Sequence, residues 1–203
     1  MSCVDFDEDI KDAIQEVTNV AVGLAADKVA RCFSTFVKLP IPKVHLVQAG
    51  DIAMAMAAIG TDTRVTAVAQ PFFGDRVSGE ALLLFSDASL AQLADLMGYD
   101  GNDESANNQL ELVLEMASIL NGACIHGVFS QLEIDLLVKH PVVLSRSRAL
   151  DEVFSDRRFP WKETLALELN YGFEGYDIEC DLIILMHERC LPALFDTIKL
   201  LLD

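Results

Sequence analysis

The sequence predicts an α+β fold. The expected form is a single pseudo-twofold domain: two repeats of helix–strand–(short helix)–hairpin–helix, with long helices packed on a six-stranded sheet. Three observations predict it. First, the chain repeats itself. Asp12, Glu16 and Asn19 in "DAIQEVTN" share their spacing with Glu111, Glu115 and Ser118 in "ELVLEMAS", shifted by 99. Gly23 and Gly122 share that shift, and so do Pro42 and Pro141. "ALLLF" (81–85) matches "DLIIL" (181–185) at a shift of 100, and "LAQLADLM" (90–97) matches "LPALFDTI" (191–198) at 101. Second, each repeat opens on a long stretch of helical period, such as Ile10, Ile14, Val17, Ala21 and Leu24. Third, each repeat contains two apolar strand-like runs joined by turn residues.

The elements follow in order. The long helices are expected over about 8–37 and 105–132. Pro42 and Pro141 then end the helical pattern and open the strands "KVHLV" and "VVLS". A short helical or irregular piece comes next, "AGDIAMAMAAIG" or "RALDEVFSD". The hairpins are "RVTAVAQPFFGDRVSGEALLLFS" and "TLALELNYGFEGYDIECDLIILM", with turns at Gly74-Asp75 and Gly175. Closing helices cover 88–97 and 188–202. The repeats therefore run over about 8–98 and 105–203, joined by the Gly/Asn/Asp-rich linker 98–108. Two separate domains of about 100 residues each would satisfy the same pattern and are the competing arrangement.

Composition excludes several functions. The formal charge is -17, with 32 acids against 15 bases, so the chain repels nucleic acid and anionic lipid surfaces. Five cysteines, an odd number without CxxC, suit a reducing cytoplasm better than a disulfide framework. Cys32 and Cys124 fall in helical patterns and are expected to act as small hydrophobes. The acidic start "MSCVDFDEDI" lacks a signal-peptide layout. The longest uncharged run, Met116 to Leu132, contains Ser118, Asn121, His126, Ser130 and Gln131, which argues against a membrane span. His45, His126, His140 and His187 make no metal-binding spacing, so no metal site is expected. No P-loop and no nucleophile elbow occurs. Trp161 reads as a core or edge aromatic rather than a partner anchor.

One stripe stands out. Each helical residue advances about 100°, so Asp12, Glu16 and Asn19 fall within an arc of about 60°, opposite Ile14, Val17 and Ala21. Polar residues at this spacing are the ordinary wet face of a helix, and Asp12 near a helix N-terminus is favourable anyway. Asn19 fits that reading poorly, because a mid-helix Asn costs about 0.5 kcal/mol against Ala. Gly23, one turn on, would let another backbone approach closely. The stripe is thus a solvated face or a working one.

The pattern Asp/Ser-x3-Glu-x2-Asn-x22-Pro, met by Asp12, Glu16, Asn19 and Pro42, resembles the signature of the CheC/CheX/FliY chemotaxis phosphatases. Glu111, Glu115, Ser118 and Pro141 meet the same spacing, and the hairpin "FFGDRVSGEALLLF" is also similar to that family. The two-repeat length is most similar to CheC. The resemblance implies hydrolysis of the aspartyl phosphate on a CheY-type receiver. It implies catalytic roles for Glu16 and Asn19, with Asp12 and Gly23 at the partner-binding rim. Glu16 would pair with the receiver's lysine or otherwise anchor the docked site. No cofactor of the chain's own is implied, the magnesium belonging to the partner, and a CheD-like deamidase is a further possible partner.

The chemistry can be read beside the resemblance. In-line attack of water on an acyl phosphate depends on orienting the water and balancing charge. The Asn19 amide can accept from and donate to one water without ionising. Ser118 departs from the pattern: a Ser hydroxyl is shorter and tends to bond back to the i−4 carbonyl. Glu111 departs too. Glu111, Glu115 and Ser118 are therefore expected to form a degenerate second site. The alternative to the enzyme is a CheC-like scaffold that docks a receiver or another partner without turnover.

Overall fold

Asp7 caps the first long helix by accepting the backbone N–H of Ile10 at 2.9 Å. The structure is a computed structural model, which describes residues 6–39, 41–48, 51, 64–98, 106–155 and 161–202. Helix α1 runs over Glu8–Phe33, with Glu8 and Asp9 in its first turn. Asp12 therefore lies a turn beyond the helix start, where the dipole no longer explains its charge. The expected extension to residue 37 fails because Ser34 turns left-handed (φ 52°) and Thr35 N–H closes on Ala30 O at 3.2 Å. The second long helix ends identically. Glu133, 99 residues later, has φ 53°, and Ile134 N–H donates to Phe129 O at 2.9 Å. The repeat is thus written in the backbone as well as in the side chains.

The remaining elements are strands β1 (Val37–Lys38), β2 (Lys43–Gln48), β3 (Arg64–Phe73) and β4 (Ser78–Ser86), then helices α2 (Asp87–Leu96) and α3 (Ala106–Gln131). They continue with β5 (Leu137–Val138), β6 (Val142–Ala149), α4 (Leu150–Ser155), β7 (Glu163–Phe173) and β8 (Glu179–His187). A 3-10 turn (Glu188–Cys190) and α5 (Leu191–Leu202) close the chain. The expected piece over 49–60 lies outside the described residues except for Asp51, and most of the linker 98–108 does too. The counterpart of the first piece, over 148–156, is divided between the end of β6 and α4 up to Ser155, with Asp156 outside the described residues.

The sheet is antiparallel, in the order β1-β7-β8-β4-β3-β5, with β2 also on β7 and β6 also on β3. It is six positions wide, but eight segments fill it. Each edge position is shared by two segments, because proline before β2 and β6 has no N–H to give and interrupts the ladder. Pro42 and Pro141 stand immediately before β2 and β6. The order is a palindrome under exchange of the repeats. Val37 pairs with Phe173, and Leu137 pairs with Phe73. Each repeat therefore lends its first strand to the other's hairpin, and the central β4–β8 pair joins them.

Both faces of the central strands are covered. Val68, Leu83, Phe85, Leu167 and Ile184 join the core beneath α1 and α3. Ala67, Leu82, Leu84, Ile183 and Leu185 face the other way and meet Val153, Phe154 and Trp161. Double burial is why these strands read as continuous apolar runs rather than alternating ones. Trp161 is buried there, 7% exposed, as its core reading expected. One described helix stretch, Gln109–Gln131, is long and apolar enough to cross a membrane, but 56% of its apolar window is buried inside the fold. Met116, Leu120, Cys124, Ile125 and Phe129 of that helix are core residues.

Candidate functional site

The fold buries one side of α1 and leaves the other bare. Ile10, Ile14, Thr18, Ala21, Val22, Ala25 and Val29 are buried. Asp12, Glu16, Asn19 and Gly23 are exposed on the opposite side. Glu16 and Asn19, three apart, are neighbours on the helix surface. Among the described residues no hydrogen bond or ion pair engages Asp12, Glu16 or Asn19. They line none of the described cavities of about 310, 730 and 10 Å³. The ridge is open to contact by another molecule.

The helix beneath the ridge is pinned. Thr18 Oγ1, fully buried between Glu16 and Asn19 in sequence, donates to Ile14 O at 2.7 Å. Ile14, Val17 and Thr18 share an apolar seam with Val128 and Phe129 of α3 and Leu132 just after it. Further along, a Cβ on Gly127 would stand 3.0 Å from Ala21 O. As α1 numbers rise, α3 numbers fall, so the two helices pack antiparallel and very close. Sequence reasoning missed both Thr18 and Gly127. Thr18 is polar at a core position of the helical period, which was the available signal.

Gly23 and Gly122 have a different role from Gly127. A Cβ at either would meet nothing within 4 Å, so neither accommodates a neighbour inside this chain. Leu24, expected in the buried stripe, is 55% exposed, and Val20 is 46% exposed. Leu24 falls on the flank of the stripe, over the groove between α1 and α3 that Ala123, His126 and Ser130 also line. Cys32 is exposed, not a small hydrophobe of the core; in the last turn of α1 it is Phe33 that turns inward, onto Phe173.

The second ridge has the same placement on α3. Glu111, Glu115 and Ser118 are exposed and Gly122 is half-buried. The expected bond from Ser118 back to the Leu114 carbonyl does not form among the described residues. Ser130, on the same helix, bonds back three residues instead, to Gly127 O at 3.1 Å.

Two cysteines and a tyrosine are withdrawn into the core. Cys124 Sγ contacts Tyr171 Oη in the core. Burial pushes the Cys124 thiol up to about 12, against the lowering effect of the Tyr171 hydrogen bond. Burial raises Tyr171 and Cys180 as well, and a protonated thiol is a poor nucleophile. Among the described residues no three His, Cys, Asp or Glu side chains converge to hold a metal ion.

No protein-family model and no curated protein sequence matches the chain. Solved structures do. FliY of Thermotoga maritima superposes with a TM-score of 0.72 at 18% identity, covering 97% of this chain and 98% of that one. The FliM middle domain of H. pylori gives 0.60 at 11%, covering 95% and 99%. The chemotaxis protein CheX of Desulfovibrio desulfuricans gives 0.57 at 11%, covering 85% and 99%. These superpositions place this chain on the fold of the CheC/CheX/FliY family.

Proposed function

We propose that this protein is a phosphatase for the aspartyl phosphate of a CheY-type receiver domain. One observation carries the reading: a carboxylate and an amide, Glu16 and Asn19, stand exposed and without partners among the described residues, on a helix whose other face is locked in the core. Groups held ready on a rigid element lose little freedom on docking, which is what orienting a water requires. The likeness to chemotaxis structures agrees with a partner from that signalling chemistry.

In this mechanism the ridge of α1 enters the receiver's phosphorylation site. Asn19 accepts from and donates to a water, holding it in line with the phosphorus–oxygen bond to the aspartate. The water's oxygen bonds to phosphorus, the aspartate carboxylate leaves, and the water's protons stay with inorganic phosphate. Glu16 anchors the docked site by pairing with a cation of the partner, and Asp12 and Gly23 form the contact rim. The magnesium ion is the partner's.

A second reading is docking without turnover. It is favoured by the α3 ridge, where Ser118 replaces the amide, and by the likeness to the FliM middle domain. Phosphate release from a phosphorylated CheY-type receiver in magnesium buffer separates the two. Turnover above the receiver's own rate supports the phosphatase. Binding at the unassisted rate supports docking alone.

A further inference from the structure

A cavity of about 310 Å³ opens where the two repeats part company. In the first repeat, β2 keeps one register on β7 from Lys43↔Glu168 to Gln48↔Glu163. In the second, β6 loses register on β3 twice, between Val65 and Ala67 and between Ala67 and Val68. Bulges of this kind re-aim side chains and concentrate beside functional sites. Ser147, in the irregular stretch, has φ 44°, a left-handed conformation uncommon outside glycine. It is held there from three sides. Its N–H donates to Thr66 Oγ1 at 3.4 Å, its Oγ donates to Asp87 Oδ2 at 2.5 Å, and Arg64 Nε donates to its Oγ at 3.0 Å.

The cavity is lined by the apolar Leu90, Leu110 and Val113 and by the charged Arg146 and Asp87. These two opposite charges line one cavity of amino-acid size but make no ion pair with each other at 4.0 Å or less. Two unlike charges that face the same space without neutralising each other complement a dipolar ligand. An apolar wall beside them complements a hydrocarbon side chain.

We propose that this cavity binds a free amino acid with an apolar side chain. The Arg146 guanidinium takes the carboxylate through its planar fork. Asp87 takes the ammonium with the oxygen that Ser147 leaves free, and the side chain lies over Leu90, Leu110 and Val113.

The test is calorimetric titration of the whole chain with L-leucine, 4-methylpentanoate and isopentylamine, the last two lacking the ammonium and the carboxylate in turn. Saturable binding of leucine is expected, with each analogue about tenfold weaker or worse. Arg146→Gln and Asp87→Asn are each expected to weaken leucine by a similar factor while leaving cooperative unfolding intact. No saturable heat from leucine up to about 10 mM overturns the proposal. So does equal binding of leucine and 4-methylpentanoate, which would make this an anion site. Should Asp87→Asn fail to fold, the exposed Arg146→Gln and the two analogues still decide.

Discussion

Gly127 on α3 faces the carbonyl oxygen of Ala21 on α1 so closely that a Cβ would stand 3.0 Å from it. The opposing atom is helix backbone, so a larger residue can be accommodated only by moving α1. Gly127→Leu is expected to destabilise the protein by about 1–3 kcal/mol, the range for overpacking a tight contact. Urea unfolding monitored by circular dichroism measures it. A neutral result would mean that the helices separate without cost.

Gly23 is the opposite case, since a Cβ there meets nothing within 4 Å. Gly23→Ala is expected to raise stability by about 0.5–1 kcal/mol through helix propensity. Gly23→Lys is expected to fold normally but to weaken receiver binding at least tenfold, about 1.4 kcal/mol. Titration of a labelled receiver reads the second effect, and unchanged affinity would remove Gly23 from the rim.

The paired left-handed caps make a prediction about the repeat. Ser34 and Glu133 each carry a Cβ in a conformation that glycine adopts freely. Ser34→Gly and Glu133→Gly are each expected to stabilise by about 0.5–1 kcal/mol, with nearly additive effects in the double variant. Thermal unfolding of the three variants checks both size and additivity.

His187 gives the pH dependence a sign. Desolvation lowers it below its ordinary range, against the raising effect of the Glu80 charge, and its ring meets Trp161 edge-on at 6.4 Å. The unfolded chain therefore takes up this proton first as pH falls below about 6.5. The stabilising contribution is complete above that pH and is lost on acidification through the folded value. Stability measured at pH 7.5 and pH 5.5 should fall more for wild type than for His187→Gln. An equal fall would show that carboxylates alone set the acid limit.

Much of this architecture was legible in the sequence, for physical reasons. The helix pair and hairpins are local patterns of period 3.6 and 2, and the repeat is a matter of offset. The exchange of first strands was not legible, because periodicity says which face of a strand is buried but not which strand lies beside it. β1 and β5 are too short to carry a pattern. Leu24 misled because it sits at the margin of an apolar stripe, where the groove rather than the core receives it. Asp12, Glu16 and Asn19 could be picked out by spacing, but their lack of partners among the described residues could not. The bulge at Ser147 leaves no trace in composition at all.

The central claim is that Asn19 orients the attacking water and that Ser118 cannot replace it. Phosphate release from a phosphorylated CheY-type receiver, measured for wild type, Asn19→Ala and Ser118→Ala side by side, tests it most directly. Loss of one preorganised polar group predicts a fall of about 10²–10³ for Asn19→Ala and a near-wild-type rate for Ser118→Ala. Equal rates for wild type and Asn19→Ala would contradict the account, as would an equal loss from both variants.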